Sequence, residues 1–221
     1  LGFKTIEIEH NKRTKLKNDL YINILAADNC DPELCGKFLG CGTAETKFKE
    51  MYFDSICVVD NSKEVVVNVN DCPYELAQST LSLILKQYKK IDFLLVGYAG
   101  AGPFPQCFEI DNQSKIILAE KKKTQFLTQA EKFIQYFKPK YFMPFAGRYV
   151  LTGKLANLNF YRGVPELEEA FDYFENSPNI PSNSKPIIVN SFSTFDLSTQ
   201  QSSKPYLPIV KKEKESYIKN I

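Results

Sequence analysis

The chain has 221 residues, 43% of them hydrophobic and 24% charged, and a net charge of +2. This is the balance of an ordinary globular protein with room for one large α/β domain or two small ones. The charge is too small to argue for a nucleic-acid partner, and no run of about 18 apolar residues predicts a membrane span.

The opening residues, LGFKTIEIEHNKRTKLK, hold no apolar signal-peptide core, so no export signal is expected there. A cytoplasmic location with reduced thiols is therefore the expectation for Cys30, Cys35, Cys41, Cys57, Cys72 and Cys107. Cys57 lies in an apolar strand-like run, where a buried thiol is expected.

In chain order, Phe3, Thr5 or Ile6, and Ile8 begin one predicted strand, and 20–26 forms a second with alternating apolar residues. Lys17, Asn18 and Asp19 read as the turn between them. Residues 28–50 predict a long irregular loop, and loops of that length are more often functional than idle. A hairpin follows, with strands at 55–59 and 64–69 about the turn Asp60-Asn61-Ser62-Lys63. Residues 74–90 show helical spacing through Leu76, Ala77, Leu81, Leu83, Ile84, Leu85 and Tyr88, with Lys86, Lys89 and Lys90 where cations suit the helix dipole.

A short buried strand is predicted at 91–97, followed by a Gly/Pro loop at 98–103. Thr128 with Glu131 reads as a capping box opening a helix at 128–137, which Lys138-Pro139 stops. Another strand is predicted at 141–145, a helix opened by Pro165 runs through Phe174, and a late strand spans 186–190. Strand pair, hairpin and alternating helices and strands make a mixed α/β pattern. Residues 1–197 read as one domain and 198–221 as a polar basic tail.

Four groups carry candidate chemistry. Asp71 ends a strand before a helix, the place of a helix cap for it or its neighbour. The spacing of Cys30, Cys35 and Cys41 fits loop thiols, or ligands lacking a nearby fourth. Asp28, Asn29 and Cys30 then mark a rim. Gly100 lies in a loop that is either a tight turn or a backbone approach to an anion. Arg148, Lys154 and Arg162 are either a solvated basic face or a clamp for phosphate or carboxylate. His10, in a charged strand end, reads as exposed and uninvolved, and one histidine cannot supply the two or three of most zinc hydrolase sites.

Three segments together resemble the metallo-β-lactamase superfamily: DSICVVDNSKEVVVNVNDCP at 54–73, IDFLLVGYAGAGP at 91–103 and KPKYFMPFAGRYVLTGKLANLN at 138–159. The resemblance is to its ascorbate-6-phosphate lactonase-like and CMP-sialic-acid hydroxylase-like members and covers about residues 1–195. It implies an αββα sandwich, here incomplete: the second half plus flanking strands. It implies that Asp71, in Asn70-Asp71-Cys72, holds the place of an acidic metal ligand, where the family commonly has Gly-Asp-Thr.

The family's His-x-His-x-Asp-His motif is absent and would lie before Leu1. Further histidines are expected where this chain has Ala27-Asp28-Asn29-Cys30 and Ala146-Gly147. The resemblance thus implies a divalent metal (zinc, iron or manganese) in a full protein, with none assured in this chain. The function expected is that of a metal-dependent hydrolase part acting on a polar, phosphorylated or sugar-linked small molecule. The alternative is a degenerate module used for binding or assembly. An N-terminal portion of the same protein or a second copy is the partner it implies.

Overall fold

The computed structural model describes residues 2, 5–26, 54–69, 71–146 and 149–220. Among these residues, seven strands form one sheet in sequence order: β1 (Thr14–Lys17), β2 (Leu20–Ala26), β3 (Ser55–Asp60), β4 (Val65–Asn68), β5 (Phe93–Gly97), β6 (Tyr141–Phe145) and β7 (Lys185–Pro186). The first three pairings are antiparallel and the last three parallel. Parallel neighbours need crossovers, and helices α1 (Gln78–Gln87), α2 (Asn112–Phe137) and α3 (Leu167–Asn176) supply them. A 3-10 segment (Gly153–Tyr161) precedes α3, and a two-stranded hairpin, β8 (Phe195–Asp196) with β9 (Gln201–Ser202), and α4 (Lys211–Asn220) follow β7.

Register decides which side of the sheet is core. Leu25 pairs with Ile56, Val58 with Val67, Val67 with Leu94, and Leu94 with Phe142. All of these are fully buried, in one cluster with Leu81 and Ile84 of α1, Phe133 and Ile134 of α2, and Ala170 and Phe174 of α3. The other face carries Ile22, Ile24, Cys57, Val59, Val66, Leu95, Met143 and Phe145, all half-buried. Phe93 and Tyr141 on that face are buried, with Phe195 of β8 against both rings at 5.8 and 5.0 Å.

The mixed α/β architecture and the sheet carrying 20–26 and the 55–69 hairpin agree with the sequence reading. Both tight turns lie where turn residues predict them, with Asn18 at φ 51° and Ser62 at φ 67°. Asn61 Oδ1 accepts the Lys63 and Glu64 amides, closing the second.

Several boundaries differ. Among the described residues the first strand is Thr14–Lys17, and 5–8 of the strand expected from Phe3 are not extended in the sheet, because the Asn18 turn folds the chain directly back and pairs Lys15 with Tyr21; Phe3 lies outside the described residues. The helix expected over 74–90 spans Gln78–Gln87. Residues 71–76 form turns instead, closed by Cys72 N–H to Val69 O and Leu76 N–H to Pro73 O. The helix expected from 128 starts sixteen residues earlier, where Asp111 accepts the Ser114 amide at 2.9 Å as its cap. Its lysine-rich first half buries little, which weakens the apolar period that reveals helices. Glu131 is no cap partner of Thr128: its carboxylate is buried and accepts from the Ser177 hydroxyl and the Asn179 amide. Helix α3 opens two residues after Pro165, with Glu166 and Glu169 in a reciprocal capping box. The late strand is confined to Lys185–Pro186, although Ile187 still donates to Phe142 O. Cys57 faces away from the helices and is half-buried; Cys72 is the buried thiol.

Gly163 meets α2 so closely that an added Cβ would lie 2.7 Å from Lys122 Cβ. That atom is anchored to the helix backbone and cannot swing aside. Gly163→Ala is expected to destabilise by about 1–3 kcal/mol, read as a lowered melting temperature.

Candidate functional site

The sheet register brings several strand ends to one edge. Ala26 pairs with Ser55, Cys57 with Asn68, Asn68 with Leu95, and Gly97 with Phe145. The ends of β2, β4, β5 and β6 and the start of β3 therefore lie side by side. Asp54, just before β3, and Asp71, three residues after β4, both lie at this edge. Burial, and then the Asp71 carboxylate, hold the Asp54 carboxyl above its usual range. The neighbouring Cys72 thiol is pushed up to about 12, chiefly by burial and further by both carboxylates. A thiol of that kind stays protonated at neutral pH.

Asp71 is exposed and is not the cap of α1: the cap position is Ala77, which makes no side-chain cap bond. His10 reaches the same edge. Its Nδ1 accepts the Ala26 amide at 3.0 Å, and the adjacent Asn11 amide donates to Ile24 O. The ring is exposed, as expected, but it terminates the β2 edge rather than standing apart.

Two carboxylates fall short of the three or four protein donors of a divalent-metal centre. Among the described residues, no group of three or more His, Cys, Asp or Glu side chains could hold a metal. The described residues therefore do not fit a complete centre by themselves. Asp28, Asn29, Cys30, Cys35, Cys41 and Arg148 lie outside the described residues.

The loop after β5 and the segment after β6 meet on α2. Gly100 sits against the Phe126 ring, where an added Cβ would lie 2.7 Å from the ring tip, so a larger residue there would have to push the ring aside. Lys154 is exposed in the 3-10 segment. Arg162 is 7% exposed. Its Nε donates to Asn159 O at 3.4 Å and its Nη2 to Glu166 Oε1 at 3.2 Å, while its Cζ lies 5.4 Å from the Tyr149 ring centroid. Nη1 is buried, with no hydrogen-bond partner among the described residues. Gln106 is also buried, donating to Gly102 O and to the Tyr149 hydroxyl, while its Oε1 has no partner among the described residues.

Of the residues named from sequence, Asp71 lies at the edge, and Gly100 and Arg162 lie in the loops that leave it. Asp54 was missed, although a hairpin turning at 60–63 already brings residues 54 and 71 to the same end of the strand pair. Gln106 and Tyr149 were missed because nothing local in the sequence marks a buried amide or hydroxyl.

The fold is thus an α/β protein with a mixed seven-stranded sheet, helices over one face and a carboxylate pair at one edge. No protein-family model matches the chain, and no curated protein does. Among solved structures, the chain is similar to CmlA, a diiron beta-hydroxylase from Streptomyces venezuelae, with a TM-score of 0.38 and 9% identity over 74% of this chain and 28% of that one. A mutant of the CmlA beta-hydroxylase gives a TM-score of 0.39 and 8% identity over 64% and 26%. The chain spans about a quarter of the length of these neighbours. Likenesses this distant establish no residue-for-residue correspondence.

Among the described residues, no helix is long and apolar enough to cross a membrane.

Proposed function

We propose that this chain is the second half of a metallo-β-lactamase-like domain in a metal-dependent hydrolase-like protein, and that the edge holding Asp54 and Asp71 faces its substrate. The observation that carries the reading is the convergence of five strand ends on the edge that also holds Asp54 and Asp71. Asp71 supplies one carboxylate ligand, and donors outside the described residues complete the set. A bound divalent ion there would lower the pKa of a water toward about 7. The half-buried apolar face opposite the helices also supports the reading, because a sandwich half must leave such a face for a second sheet. The substrate is a polar, phosphorylated or sugar-linked small molecule, held from the loops after β5 and β6 that carry Gly100, Arg148, Lys154 and Arg162.

The test is Asp71→Asn in the intact protein. Metal affinity is expected to fall at least tenfold, with little change in melting temperature, since Asp71 is exposed and caps no helix. Unchanged metal affinity would overturn the ligand assignment. The same apolar sheet face gives the second reading its support: a degenerate module using that face for binding or assembly. Unchanged metal affinity in Asp71→Asn would favour this second reading.

A further inference from the structure

The chain beyond the β8–β9 hairpin is attached differently from the hairpin itself. In the hairpin, Phe195 lies on the Phe93 and Tyr141 rings, the Tyr141 hydroxyl donates to Gln200 Oε1 at 2.6 Å, and the Ser203 amide donates to Thr194 O at 2.8 Å. Beyond Ser203, polar bonds hold the chain. The Asn190 side chain donates to Leu207 O at 2.8 Å and accepts the Leu207 amide at 2.7 Å. The Tyr206 hydroxyl donates to Glu168 Oε1 at 2.5 Å, and Lys214 Nζ donates to Glu166 Oε1 at 2.5 Å. Both carboxylates stand at the start of α3. Glu166 Oε1 also accepts from Arg162 Nη2 at 3.2 Å, so one oxygen ties α4 to the segment after β6.

Apolar packing adds little to these bonds. Among the described side chains of α4, Ile218 alone is buried. Leu207, Ile209, Val210 and Tyr217 are half or more exposed. Helix α2, by contrast, buries Leu127, Phe133, Ile134 and Phe137. Few buried apolar contacts mark the parts of a protein that open well below the cost of global unfolding. Ion pairs near water are also weakened by salt. What α4 packs on is the 3-10 segment, Gly153–Tyr161.

We propose that residues 204–220 form a strap that swings off the folded body as a unit, hinged at Lys204-Pro205, and that its opening uncovers residues 153–161. Its catch is the Lys214–Glu166–Arg162 cluster together with the Tyr206–Glu168 bond. The role of the strap rests on the function proposed above, in which Lys154 and Arg162 hold the substrate: the closed strap confines that stretch, and the open strap frees it. Rising salt loosens the catch.

The experiment is amide hydrogen exchange of the intact protein, compared in wild type, Tyr206→Phe, Lys214→Met and the pair. These changes fall on the strap and leave the side chains of the body in place. In wild type, residues 211–220 are expected to exchange about a hundredfold faster than 127–137 of α2. The double variant should speed 206–220 by about tenfold more, since it loses two charge-assisted bonds, with 153–161 accelerated alongside and 127–137 unchanged. Raising the chloride concentration should speed 206–220 in wild type and far less in the double variant. Unchanged exchange of 206–220 in the double variant would overturn the catch. Acceleration of 206–220 with 153–161 unmoved would overturn the cover, and equal acceleration of 127–137 would show global unfolding in place of a strap. Asp71→Asn should leave all of these rates as in wild type, so the strap stands or falls separately from the metal assignment.

Discussion

Phe142→Ala is expected to cost about 3–5 kcal/mol, the usual range for emptying a core phenylalanine site. Phe142 is fully buried on β6, its ring edge-on to Phe174 of α3 at 5.7 Å, with Leu94 and Pro186 beside it in register. The cavity would open between the parallel strands and α3, where three elements meet and none can collapse alone. For a chain of this size the melting temperature should fall by roughly 10 °C. A drop within a degree or two of wild type would show that the β6–α3 packing is not as described.

The second large effect is electrostatic and lies at the far edge of the sheet. Arg13 grips Asp60 with two hydrogen bonds, Nε to Oδ2 at 2.9 Å and Nη2 to Oδ1 at 2.5 Å, and stacks on Tyr21 with Cζ 3.4 Å from the ring centroid. Asp60 is 4% exposed, whereas the Arg13 side chain is 39% exposed. Arg13→Met leaves a buried carboxylate with the Ser62 amide as its remaining hydrogen-bond donor. Losing one partner of a fully buried pair costs about 3–5 kcal/mol; with Arg13 partly in water, about 2 kcal/mol is expected.

The hydrogen bond from Arg13 holds the Asp60 carboxyl below its usual range. A lowered folded pKa stabilises above the unfolded value, near pH 4, and that contribution is lost as the pH falls through the folded value. The stability gap between wild type and Arg13→Met should therefore be constant from about pH 5 to 8 and close below about pH 4. Denaturant unfolding across that range measures it. A gap that persists into acid would mean that the ring stack, not the ion pair, supplies the stability.

The parts of the fold written locally were legible. Residues 141–145 are five apolar residues in a row after a Pro-Lys stop, and they form β6 over those same residues. Turn chemistry at Asn18 and at 60–63 located both antiparallel hairpins. The first half of α2 escaped notice because a helix lying on the surface needs few apolar residues. Its start is marked by Asp111, a cap whose neighbours look like loop. The 3-10 segment at 153–161 has no fully buried residue to give it a period.

The candidate site divides along the same line. Sequence by itself determined the mixed α/β pattern, the strand end at Asp71 and the basic run after β6, because each depends on neighbours in the chain. Tertiary structure alone decided that Arg162 is buried with one nitrogen that no described residue partners, and that Lys115 and Lys122 reach the loop after β5. Those facts depend on which surfaces face one another once strands pair and helices pack. The alternation of apolar residues says that a strand has a buried side; only the register of its neighbours decides what lies across from it.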